Sequence, residues 1–179
     1  MKNQPLQRLW PLALALLLAP PVLAYDGGTV DNGGTIEGRV IFTGKVPVKK
    51  IIPGDPEVCG DPRDEPQVRV GEDEGVQDAV VYLDGIDSGK PWPEQKQPPT
   101  LNNEDCRFVP QLLVMRPGPL RVTNFDPVLH NTHAFYGPRT AFNVALPRKD
   151  MEVEQTLRRP GMVRVECDAC PATTEFAVP

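Results

Sequence analysis

The chain has 179 residues, a formal net charge of −5, and 40% apolar against 24% charged residues, the balance of a globular rather than a disordered protein. Its 22 prolines leave little room for long helices and exclude a helical bundle. Its acidic balance argues against a nucleic-acid partner, because it repels a phosphate backbone.

Lys2 and Arg8 flank a polar start, and an apolar stretch from Leu9 to Leu18 follows. Val22-Leu23-Ala24 then supplies the small-residue spacing of a cleavage site. Residues 1–24 therefore read as a signal peptide, with the mature chain starting at Tyr25. The apolar stretch is too short for a permanent membrane helix, no second run of that length follows, and no cysteine stands at the cut. The expected location is periplasmic or secreted, with no membrane span after cleavage, in a space where disulfides persist.

Residues 25–35 are rich in Gly and Asp and read as a flexible lead-in. Ile36 to Phe42 alternates apolar and other residues, the signature of a strand. Pro53 to Pro66 is a polar loop carrying Cys59, and Gln67 to Val70 reads as a short edge strand. Ala79-Val80-Val81-Tyr82-Leu83 is a continuous run that reads as a buried strand. Gly85 to Thr100 carries four prolines and no apolar period, so it is expected as a surface loop. Leu112 to Met115 reads as another buried strand, ended by Pro117-Gly118. Leu120 to Phe125, Met151 to Gln155 and Met162 to Cys167 alternate, and Thr173 to Val178 reads as the closing strand. There is no internal repeat and no well-capped helix. The chain is thus expected to be all-β, with residues 36–179 forming one antiparallel sandwich or small barrel.

Cys59 and Cys106 lie in loops ahead of core strands. An oxidising space favours bridging them, although four cysteines allow three pairings. Closing so long a loop is worth roughly 4 kcal/mol in the chain-entropy account. Cys167-Asp168-Ala169-Cys170 directly follows a strand. Pro171 stands where a c-type haem site needs His, and a thioredoxin-type site needs a helix in a βαβ unit. Two readings stay open for this pair: a local disulfide or idle thiols, and a metal knuckle in which two thiolates converge on one ion.

The chain has only two histidines, both in His130-Asn131-Thr132-His133. In an extended strand, positions three apart point to opposite faces. The two imidazoles could share an ion only across a turn, so one ligand is expected from the pair. No Ser-His-acid series stands out, and the chain is not expected to be an enzyme.

From Cys106 onward the sequence resembles a family of secreted cupredoxin-like, plastocyanin-related proteins. The resemblance rests on Cys106-Arg107-Phe108-Val109-Pro110, on Val122-Thr123-Asn124-Phe125-Asp126-Pro127-Val128-Leu129-His130-Asn131 and on Ala141-Phe142-Asn143-Val144-Ala145-Leu146. It continues through Arg159-Pro160-Gly161-Met162-Val163-Arg164-Val165 into Cys167-Asp168. The resemblance implies a Greek-key cupredoxin-like β-sandwich. In the family pattern two His, a Cys thiolate and a weak axial Met hold type 1 copper, with the first His at His130 and the thiolate at Cys167. The second His and the Met are expected where Cys170 and Thr173 stand, and a further His often falls where this chain has Gln111. The donors left are His130, Cys167 and Cys170, with His133 as a candidate fourth. The Cys59–Cys106 pairing agrees with larger members of the family. The resemblance implies a metal-binding module in electron transfer or copper handling, with copper as the cofactor and zinc or no metal as alternatives. The other reading is a degenerate, metal-free cupredoxin that serves as a structural or interaction subunit of a larger assembly. A redox or scaffold protein is the partner in either case.

Overall fold

The computed structural model describes residues 25–170 and 173–178; the expected leader lies outside the described residues. The chain divides into two compact units. In the first, β1 (Asp26–Gly27) pairs in parallel with β4 (Ser88–Gly89). Tyr25 donates its hydroxyl to the Lys90 carbonyl at 2.6 Å and packs its ring near Trp92.

The second unit holds everything from Gly34 to Tyr82 and from Pro93 onward. It opens with β2 (Val48–Ile51) and β3 (Arg63–Pro66), an antiparallel pair around a one-turn helix, α1 (Pro56–Cys59). Asp55 caps that turn by accepting the Val58 amide at 3.4 Å, the usual service of an Asp N-cap.

Two larger sheets follow, built from β5 (Thr100–Glu104), β6 (Arg107–Val109), β7 (Leu112–Val114), β8 (Gly118–Asn124), β9 (His130–Tyr136), β10 (Arg139–Leu146), β11 (Met151–Leu157), β12 (Gly161–Glu166) and β13 (Thr173–Val178). The first sheet runs β10-β9-β12-β13-β7 and the second β11-β8-β5-β6. The chain crosses to the first sheet for β7 and back for β8, then changes sheet again from β8 to β9, from β10 to β11 and from β11 to β12, so the antiparallel β9–β10 hairpin in one sheet is framed by the β8–β11 pair in the other. The architecture is an all-β Greek-key sandwich.

The strands form where residues alternate. In β11, Met151, Val153 and Leu157 turn inward while Glu152, Glu154 and Thr156 stay exposed. Val163 and Val165 of β12 do the same. They meet Leu101, Phe108, Leu120, Val122, Phe142 and Leu146 in the core, where each buried apolar side chain contributes about 1.5–3 kcal/mol. The turn between β9 and β10 is Gly137-Pro138; Gly137 supplies a φ of 56° without steric cost. A β-bulge between Thr140 and Phe142 interrupts the β9–β10 ladder.

Three expected strands are not formed as strands. Ala79–Leu83 was expected to be buried, yet Val81 is 78% and Tyr82 77% exposed. The run is bracketed by reversals: Asp78 has a φ of 57°, and Asp84 accepts the amide of Gly85, whose φ is 68°. No strand edge pairs with it among the described residues, and β propensity without a partner edge does not bury a segment. Residues 36–42 form only a single bridge, Ile41 with Gly75, and Ile36 stays exposed. Of the expected edge strand at 67–70, only Val70 bridges, to Val76.

Candidate metal centre

At one end of the sandwich, polar side chains rather than apolar ones fix the loops. Asn124 ends β8 fully buried, with its amide donating to the carbonyls of Val128 and Leu146, both at 2.9 Å. Its side-chain oxygen accepts the Asp126 amide at 2.9 Å. This pins the loop between β8 and β9 and aims Asp126 inward. β5 and β6 are joined by Asp105-Cys106, both left-handed at φ 52° and 53°, the backbone of a type I′ hairpin. Neither residue is glycine. The strain is offset by Asp126, whose two oxygens accept the amides of Asp105 and Cys106, each at 2.9 Å.

His130, the first residue of β9, is 1% exposed. Its Nε2 lies 2.7 Å from Asp126 Oδ2. Asp126 already accepts two amides, so this contact is donated by Nε2–H. In the neutral imidazole the lone pair is then on Nδ1, which lies 3.3 Å from Cys170 Sγ. A carboxylate on the far ring nitrogen is the arrangement that orients a metal-ligating histidine. Cys167 leaves β12 buried, Cys170 is half-buried, and the two are bridged with Cα atoms 5.1 Å apart. Donor atoms of His130, Cys167 and Cys170 all lie within 4.8 Å of one another.

His133 goes elsewhere. It sits on the outer face of β9, with Nδ1 3.0 Å from Asp168 Oδ2 and Nε2 2.8 Å from Thr140 Oγ1. Asp168 is held in turn, since Asn131 accepts its amide at 2.8 Å and Asn143 donates to its carboxylate at 3.3 Å. Gln111 donates to Glu65 at 3.3 Å. Cys59 and Cys106 are bridged, with Cα atoms 5.3 Å apart and Cys106 buried.

Reasoning from sequence missed Asp126 as the residue that orients His130; the available signal was an acid four positions before the histidine. It also missed Asp168 as the anchor of the cysteine loop.

Two sulfurs and one imidazole make a donor set for a soft ion. The fit depends on the bridge. A thiolate is a metal ligand and a disulfide sulfur is not, so the set is complete only when Cys167 and Cys170 are reduced.

No protein-family model matches the chain, and no curated protein matches it. Among solved structures it is similar to a purple cupredoxin from Nitrosopumilus maritimus, at 18% identity over 45% of this chain and 99% of that one, with a TM-score of 0.40. It is also similar to amicyanin from Paracoccus versutus, at 14% identity over 48% of this chain and 85% of that one, with a TM-score of 0.42. A third similarity is to the copper-containing nitrite reductase of Thermus scotoductus SA-01, at 18% identity over 55% of this chain and 25% of that one, with a TM-score of 0.42.

Proposed function

We propose that the chain is an exported copper-handling module whose reduced form binds one soft ion, copper(I) first, through His130, Cys167 and Cys170. The observation that supports this is the convergence of their donor atoms within 4.8 Å, with His130 already oriented by Asp126 at 2.7 Å. Two thiolates favour copper(I) or zinc over copper(II). Bound there, copper(I) would be held for transfer between carriers. Blue-copper electron transfer needs a second imidazole and an axial thioether, and the family resemblance would put Cys170 and Thr173 at those positions. His133, tied to Asp168 on the outer face, is not part of this set.

A second reading, a metal-free interaction module, is favoured by one observation: the Cys167–Cys170 bridge is closed. Titration of copper(I) into reduced and oxidised protein separates the two. The metal site predicts one equivalent bound by the reduced form alone, without intense blue absorption, and affinity reduced at least a hundredfold in Cys170→Ser and His130→Ala. Equal binding by parent and both variants would remove this site, and no copper or zinc binding by the reduced parent would give the case to the interaction module.

A further inference from the structure

The two disulfides differ in what surrounds them. Cys59–Cys106 spans 47 positions, with Cys106 buried and its amide held by Asp126. Cys167–Cys170 spans 3 positions at a strand end, with one half-buried sulfur in contact with an imidazole. That contact is chemically incomplete. With Nε2–H directed at Asp126, the neutral imidazole of His130 carries its lone pair on Nδ1, and the Cys170 sulfur of a disulfide has no hydrogen to donate to it. A reduced Cys170 has an S–H that can. Buried acceptors without donors are costly, so opening this bridge satisfies a group that the closed form leaves without a hydrogen.

We propose that Cys167–Cys170 is a redox-active disulfide that exchanges with external dithiols, with Cys170 as the attacked sulfur and His130 as the positioning residue that favours the opened form. A thiolate of the dithiol attacks Cys170 Sγ, the bond between the two cysteines breaks, and the electron pair leaves on Cys167 Sγ. The second thiolate then attacks its own sulfur in the mixed disulfide, closes the reductant into a cyclic disulfide and expels Cys170 Sγ. Two electrons pass to the protein. The two protons lost by the dithiol are taken up through solvent by Cys167 and Cys170, and the Cys170 S–H then donates to His130 Nδ1. Access favours Cys170 over Cys167, which is only 7% exposed, because exchange rates follow access to the attacked sulfur.

The exchange goes beyond the metal reading and does not require it, so it is tested in chelator. The oxidised full chain is equilibrated with graded ratios of reduced to oxidised dithiothreitol, quenched with an alkylating reagent and mapped by peptide mass. The expected result is two separate transitions: Cys167–Cys170 opens first, while Cys59–Cys106 and the far-ultraviolet dichroism are unchanged. A monothiol should trap a mixed disulfide on Cys170. In His130→Ala the opening constant should fall about tenfold, a midpoint shift of about −30 mV for this two-electron couple. Asp126→Asn, which is nearly isosteric, should move it in the same direction if the alanine variant does not fold. Simultaneous opening of both bridges, earlier opening of Cys59–Cys106, or an unmoved midpoint in whichever variant folds would overturn the proposal. Failure of the reduced protein to bind copper(I) would leave it standing.

Discussion

His130 and His133 are three residues apart on one strand and live in different chemistry. His130 faces the sandwich interior, sealed between a buried carboxylate and a disulfide sulfur. His133 faces outward, across a surface network of Asp168, Thr140 and Asn143. The residue type is the same, and the pleat decides which one is buried in the interior and which one joins the surface network. The inner histidine belongs to a set whose members depend on one another. The outer one belongs to a set that water can replace.

That contrast makes graded predictions for urea unfolding at neutral pH. The largest effect is expected from Asp126→Ala, which strands two amides in a left-handed turn and the imidazole together; a loss of about 4 kcal/mol follows from the cost of buried groups left unpaired. A loss below about 1 kcal/mol would mean that water fills the place of the carboxylate and that the inner set is not interdependent. His130→Ala should cost about 2–3 kcal/mol, since it leaves the Asp126 carboxylate short of one donor. His133→Ala should cost under about 1 kcal/mol, as expected for a partly exposed polar contact, and an equal cost for the two histidines would dissolve the comparison.

The smallest effect lies at the far end of β9. Tyr136 donates its hydroxyl to the Arg159 carbonyl at 2.6 Å, and burial raises its pKa above the ordinary 10.0. The folded state therefore holds this proton more tightly than the unfolded chain. Its contribution is fully present below pH 10 and is lost as pH rises through the folded value. Alkaline melting curves should show a small decline that is missing in Tyr136→Phe; identical curves would refute it.

Much of the sandwich could be read from alternation. β8, β11 and β12 carry regular inward apolar positions. β5 and β9 do not, because their inward positions include Asn103, His130 and Thr132, which are buried by hydrogen bonding. Hydrophobic periodicity is blind to a polar interior. The opposite error came at Ala79–Leu83, where strand propensity suggested burial that no partner edge among the described residues supplies. In the candidate centre, Cys167, Cys170 and His130 stood out by spacing and by family resemblance. Asp126 did not, because Asp-Pro reads as a turn, and its role depends on amides that lie 20 and 21 positions earlier.

The bulge in β10 has a bearing on association. β10 is an outer strand of its sheet, eight residues long, and a free edge of that length is a template on which another chain could add a strand. The register shift between Thr140 and Phe142 breaks the edge into two short pieces whose hydrogen-bonding groups no longer fall in one line. Arg139 adds a charge at one end of the strand. An incoming strand could match one piece and would miss the other, which makes the β10 edge a poor template for strand addition.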